Sequence, residues 1–276
     1  MIEVHTLLLN KSIRRLVSVL LFLIILLGLQ AICIHRGTDH VAGSTDNSTI
    51  TSPISSRADA QEIVKDDSDK PPADEGSSDK KVAYLTFDDG PTQNTACILD
   101  ILAKYDAKAT FFLLEPQMRK YPEQLTQMCR AGHALGLHGV SHNHKKLYRS
   151  LDSVLDEMNT AQAKLQELTQ VKSTLIRTPY GSKPYMKPAY MEGVKAAGYI
   201  VWDWNVDSRD WYYKDARLVD TTIEQIKDLE KSNINPVILF HDRGKTAEFL
   251  PQVLEYLVNN NYKFASLDTE LEPVRF

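Results

Sequence analysis

Cysteine is scarce in this chain of 276 residues, with only Cys33, Cys97 and Cys129 present. Cys33 lies in an apolar run without the small-residue context of a lipidation signal, which excludes a lipid anchor there. Cys97 and Cys129 remain, and sequence leaves open whether they pair; two buried thiols is the plainer expectation. An excess of positive charge is also missing. The formal net charge is -4, which excludes the basic footprint of a nucleic-acid binder. There is no internal repeat and no sign of a second folded domain. With 43% hydrophobic and 25% charged residues, the chain can bury one sizeable core.

Long apolar runs are absent but for one. Leu16 to Ile34, "LVSVLLFLIILLGLQAICI", has 19 residues without a charge and follows Lys11, Arg14 and Arg15. That is long enough to cross a bilayer as a helix. The flanking basic residues put residues 1–15 in the cytoplasm and everything after the span outside it. A cleaved signal peptide is the alternative, since Leu29-Gln30-Ala31 is a tolerable cleavage site; a retained single-pass membrane anchor is the preferred reading because the run is longer than a usual signal core. Residues 35–80 then turn to Ser, Thr, Asp, Lys and Pro with almost no aromatics. Such a stretch cannot bury enough apolar surface to fold and reads as a polar tether, with a coil reach on the order of 40 Å. The Asn47-Ser48-Thr49 sequon inside it is read as a chance match.

From residue 81 to 276, short apolar runs alternate with amphipathic helical patterns. Strands are expected at Val82–Phe87, Ala109–Leu114, Ala134–His138, Leu175–Arg177, Tyr199–Trp204, Val237–His241 and Phe264–Leu267. Helices are expected at Ala96–Tyr105, Glu123–Ala131, Leu151–Leu168, Tyr190–Ala197, Thr221–Leu229 and Phe249–Asn259. This alternation defines an α/β fold with a mainly parallel sheet. Seven strands suit a distorted, incomplete (β/α) barrel better than a full eight-unit one.

The ionisable residues collect at strand ends. Asp88 and Asp89 end the first strand, His138 the third and Arg177 the fourth. Asp207 and Asp210 follow the fifth, and His241 ends the sixth. In βα barrels those ends converge on one face, so five of them together argue for one site. In "YLTFDDGP" two like charges stand side by side: either a solvated turn, or a site where one carboxylate holds a metal and the other moves a proton. Successive side chains of a strand point in different directions, which divides the two jobs. "LHGVSH" sets His138 and His142 four residues apart, with His144 next. Alone, such a pair is more often a surface accident. With a carboxylate it makes a two-His, one-Asp set that leaves positions open, which suits catalytic Zn²⁺. A non-haem iron oxygenase uses a similar triad, but its usual H-x-D/E motif is absent, so hydrolysis is the better reading. The bland alternatives are a structural His241 on a buried strand and a surface ion pair for Arg177.

The ordered set "TFDDGP", "HGVSH", "RTPYG", "DSRDW" and "LFH" resembles the polysaccharide deacetylases of carbohydrate esterase family four, the NodB-homology domain. The likeness covers residues 81–276. It implies metal-dependent removal of acetyl groups from N-acetylated sugars, with Asp88 as general base and Asp89, His138 and His142 as metal ligands. It further implies that Arg177 orients Asp88, that the Tyr180 backbone N–H meets an oxyanion, and that His241, held by Asp210, is the general acid. Trp211 and Leu239 would wall the acetyl pocket. The expected cofactor is a divalent metal, zinc first, with cobalt or another transition metal as alternatives. The expected partners are a glycan, peptidoglycan N-acetylglucosamine above all, and the membrane through the N-terminal helix. Chitin-type oligomers, N-acetylmuramic acid and acetylated xylan are the other substrates, and a lapsed glycan-binding module is the non-enzymatic reading. One departure stands out: the family usually has Ser or Thr after the first metal His, where this chain has Gly139. Loss of that hydroxyl implies a weaker brace on the ligand loop and lower metal affinity.

Overall fold

Val82–Gly90 (β1) reads "VAYLTFDDG", and Ala109–Leu113 (β2) reads "ATFFL". Such runs, rich in aromatic and branched residues, are what a strand covered on both faces requires. The structure, a computed structural model, describes residues 81–276. The further strands are Ala134–Leu137 (β3), Leu175–Ile176 (β4), Ile200–Val201 (β5), Val206–Asp207 (β6), Val237–His241 (β7) and Lys263–Phe264 (β8). The order β5-β4-β3-β2-β1-β7-β6 gives seven strands, with β8 pairing the start of β1. All of these pairings are parallel. The sheet curls into an incomplete barrel, as the strand count implied.

Helices cross between the strands: Thr95–Lys104 (α1), Glu115–Lys120 (α2), Pro122–Arg130 (α3), His144–Leu147 (α4), Leu151–Thr169 (α5), Pro188–Ala196 (α6), Asp210–Tyr213 (α7), Arg217–Glu230 (α8) and Gly244–Asn259 (α9). Ser150 caps α5 by accepting from the Ser153 N–H, and Asn143 caps α4 in the same way. At the centre, Phe87 stacks on Phe111 of β2 at 5.1 Å and on Phe240 of β7 at 5.5 Å. That cross-strand aromatic ladder ties three neighbouring strands together. It also pins the register that sets Asp88 of β1 directly opposite His241 of β7.

Several expectations change. The strand expected over Tyr199–Trp204 shrinks to β5, because the Asp203 N–H turns to the Val274 carbonyl. The strand expected over Phe264–Leu267 is only β8, and β6, α2, α4 and α7 add short elements. Helix α9 begins at Gly244, ahead of the expected Phe249, and carries Pro251 within it. Cys97 and Cys129 are half-buried and Cys129 is a free thiol, so the two do not pair. The expected cytoplasmic segment, apolar span and polar tether lie outside the described residues. Among the described residues no helix is long and apolar enough to cross a membrane.

Candidate metal and catalytic site

The parallel strands point their C-terminal ends at one cavity of about 360 Å³. Asp88, Asp89, His138, His142, Tyr180, Trp211, Leu239 and His241 all line it, and Asp207 joins them. Arg177 and Asp210 stand behind this lining, each bonded to a residue in it. The sequence reading therefore gathered residues that the fold brings together.

The two adjacent acids need more than strand alternation to share a pocket, since an unbroken strand would send them to opposite faces. Here β1 slips register between Asp88 and Gly90, and Asp89 adopts the left-handed region with φ 71. That bulge turns both carboxylates inward, which corrects the simpler expectation. The next residue must be glycine: a Cβ at Gly90 would lie 2.7 Å from the Asp242 carboxylate. Asp242 in turn accepts from Thr92 and Thr95, fixing the chain beyond the bulge.

Asp88 is 3% exposed. Its Oδ1 accepts from Arg177 Nη1 at 3.0 Å, and its Oδ2 lies 3.8 Å from His138 Nε2. Arg177 is wholly buried, so the surface ion pair considered for it is ruled out. It also donates to Thr86 Oγ1 and to the carbonyls of Trp202 and Asp203. Its guanidinium lies 4.3 Å from the Phe112 ring centroid. Five of its contacts therefore fix one orientation.

Asp89 Oδ1 lies 3.6 Å from His138 Nε2 and 3.2 Å from His142 Nε2. It is buried and has no hydrogen-bond partner. Burial alone would raise the Asp89 carboxyl, but His138, His241, His142 and Arg243 together hold it below its ordinary value. His138 Nδ1 meets the Arg177 carbonyl at 2.6 Å. A carbonyl only accepts, so Nδ1 carries the proton and Nε2 turns its lone pair to the pocket. One ligand atom from each of Asp89, His138 and His142 falls within 4.8 Å of the others. An orphaned carboxylate oxygen facing two imidazole nitrogens is what a divalent cation would satisfy, so the residues present fit a metal. His144 does not join them; it stacks on Tyr185 at 5.1 Å.

His241 is held from behind. Its Nδ1–H donates to Asp210 Oδ1 at 2.7 Å, its backbone N–H donates to Oδ2 at 2.7 Å, and Thr246 Oγ1 donates to the same Oδ2. Burial would depress the imidazole pKa, but the Asp210 bond and charge, helped by Asp88 and Asp89, raise it above its ordinary value. The same bond, set against burial, lowers the Asp210 carboxyl. Asp207, by contrast, is pushed up by burial.

Five features lay beyond the sequence reading. Trp204 and Arg243 line the pocket, and Arg243 Nη2 donates to Asp89 Oδ2 at 3.2 Å. The Tyr180 hydroxyl donates to the His142 carbonyl at 3.0 Å. Buried Asp203 accepts from Ser182 and fixes the turn after Tyr180. Glu157 on α5 accepts from the loop between the two histidines. Arg243, two places after His241 at a strand end, carried a readable signal; the others did not.

An open α/β barrel with a His-His-Asp cluster, a buried Arg-held acid and an Asp-held imidazole at its strand ends defines a metal-dependent hydrolase. Residues 75–202 match the profile described as Polysaccharide deacetylase. The putative polysaccharide deacetylase YheN of Bacillus subtilis (strain 168) is 40% identical over 196 residues, 70% of either chain. A peptidoglycan-N-acetylglucosamine deacetylase of Bacillus cereus is 34% identical over 241 residues, 83% of this chain and 88% of that one. The crystal structure of the polysaccharide deacetylase Bc1974 from Bacillus cereus superposes with a TM-score of 0.62 at 36% identity, covering 71% of this chain and 97% of the other. The chain belongs to the polysaccharide deacetylase family, metal-dependent hydrolases of N-acetyl amide bonds.

Proposed function

We propose that this chain deacetylates a cell-wall glycan and that its substrate is peptidoglycan N-acetylglucosamine, as the name of the Bacillus cereus relative suggests. The reading rests on one arrangement: the unpartnered Asp89 Oδ1 facing His138 and His142, between an Arg-held acid and an Asp-held imidazole. Asp89, His138 and His142 are the proposed ligands of a divalent cation, zinc first and cobalt or another transition metal second. What such a cation supplies there is Lewis acidity toward an amide oxygen and a water of lowered pKa.

The chain's own groups do the rest. Asp88 takes the proton from the attacking water, its orientation fixed by Arg177. The Tyr180 N–H meets the negative charge that develops on the carbonyl oxygen, while Trp211 and Leu239 enclose the methyl. His241 hands its proton to the departing sugar amine as the C–N bond breaks, leaving acetate and a free amine. For that it must be protonated, and Asp210 favours the protonated form. Activity is therefore expected to fall as pH rises through the His241 pKa. In Asp210→Asn this alkaline limb should move to lower pH. An unmoved limb would mean that the pair is not coupled and that His241 is structural.

Acetate release by the purified full chain, measured with and without a chelator, tests the function. Chelator-sensitive release from peptidoglycan, with the free amine mapped to N-acetylglucosamine, is the expected result. Release from chitin oligomers or acetylated xylan alone, or an amine mapped to N-acetylmuramic acid, would move the substrate. No release from any of them would leave a lapsed glycan-binding module.

The proposed location is the outer face of the cell membrane, with residues 16–34 as the anchor and 35–80 as the tether. It is supported by Lys11, Arg14 and Arg15 before the apolar run. Protease added to intact protoplasts should digest the tether or the domain. Full protection would sink the topology, and recovery of chains cut near residue 31 would favour secretion.

A further inference from the structure

We propose that Glu157, a residue of α5 outside the pocket, is the positioning residue that holds the His138–His142 loop in its ligating shape and so sets how tightly this chain retains its divalent cation. The inference rests on the reading of Asp89, His138 and His142 as metal ligands.

The loop cannot hold itself. His138 follows β3 and His142 lies four residues on, with no helix between them. Gly139 has φ +87 and His142 has φ 47, so two residues of this short turn sit in the left-handed region. A non-glycine residue held there is strained and persists only where its surroundings over-determine it. The backbone N–H groups of Val140 and Ser141 also need acceptors. Both find one oxygen: Glu157 Oε2 accepts from each at 3.0 Å. The other oxygen, Oε1, accepts from Ser141 Oγ at 2.5 Å. Three donors on one carboxylate make a charge-assisted clamp, and two successive N–H groups turned to one anion form an anion-binding concavity.

The carboxylate and the glycine belong together. A Cβ at position 139 would lie 2.9 Å from Glu157 Oε2. Glu157 thus fills the space beside Gly139 and supplies the brace that a hydroxyl at that position would otherwise give. The loop's carbonyls are tied separately: Gly139 O accepts from the Glu115 N–H and His142 O from the Tyr180 hydroxyl. Glu157 alone among these ties takes the N–H side. Without it, the relative aim of His138 and His142 loses its main constraint while the strand bearing His138 stays in the sheet.

The test uses the purified full chain and zinc ion, with affinity measured by competition against a chromogenic chelator and unfolding followed on the metal-free chain. Glu157→Ala is expected to weaken zinc binding about 10–100-fold, the usual effect of removing a support behind a ligand. Glu157→Gln, which keeps the shape and one acceptor oxygen but loses the charge, should fall between it and the wild type. The metal-free unfolding temperature should stay close to wild type in both, and saturating zinc should return kcat to near the wild-type value. Zinc affinity equal to wild type in both variants would overturn the proposal. So would a loss of affinity matched by a loss of metal-free stability, which would make Glu157 an ordinary packing residue. If the wild-type chain binds no zinc or other divalent cation, the metal reading itself fails and takes the proposal with it; a wild type that binds beside variants that bind equally well sinks the proposal alone.

Discussion

Asp88→Asn is expected to keep its metal and lose about 10²–10⁴-fold in rate, whereas Asp89→Asn is expected to lose the metal. The two acids are neighbours in sequence and share one pocket, yet their surroundings differ. Asp88 has its Oδ1 committed to Arg177 and its Oδ2 free toward the cavity. Asn there keeps the shape but cannot take a proton, and a positioned base is worth about 10²–10⁴-fold. Asp89 has Oδ2 on Arg243 and Oδ1 unpartnered between His138 and His142. An amide in its place is a much poorer ligand for a divalent cation. The measurement is metal content per chain beside kcat for both variants, with far-ultraviolet circular dichroism to verify folding. Retention of metal and activity in both would remove the pair from the metal-binding and proton-transfer roles. Metal lost from Asp88→Asn and kept by Asp89→Asn would reverse the two roles.

The strand–helix alternation was legible because β1, β2 and β7 are buried on both faces, and strands of that kind read as unbroken apolar runs. The site was legible for a related reason: a charged residue at the end of such a run has no place in the core. What sequence withheld is local. The "DDG" triplet carries no sign that β1 bulges at Asp89, so alternation seemed enough to divide the acids; the bulge depends on Asp242, which approaches Gly90 from the far end of the chain. Glu157 is masked differently. On an amphipathic helix a glutamate normally faces water, and only the fold brings the Val140 and Ser141 N–H groups to it. Helices α4 and α7 have four residues each, too few for a period of 3.6 to be read. Gly139 reads in the sequence only as a missing hydroxyl; its φ of +87 and the Glu157 carboxylate packed against it, which leave little room for a side chain, come from the fold.

Arg177→Met is expected to cost about 3–5 kcal/mol of stability, because it leaves the buried Asp88 without its counter-charge. Arg177 is 0% exposed and Asp88 3%, so water cannot take over the lost bond. Burial already pulls the guanidinium pKa down from its ordinary value, and the neighbouring Asp88 opposes that shift. Charge alone is not enough at this position. The fork donates through Nε, Nη1 and Nη2 to Trp202 O, to Thr86 Oγ1 and Asp88 Oδ1, and to Asp203 O. Lysine has one donor head and cannot span those directions, so Arg177→Lys should also lose stability and rate despite keeping a positive charge. Adding Asp88→Asn to Arg177→Met should recover part of the lost stability, because the stranded carboxylate is then gone; the pair should deviate from additivity in that direction. Urea unfolding of the two single variants and the double variant reads all three values. A cost below about 1 kcal/mol for Arg177→Met, or a double variant that is simply additive, would mean that the pair behaves like a solvated ion pair, and the orientation of Asp88 would then need another cause.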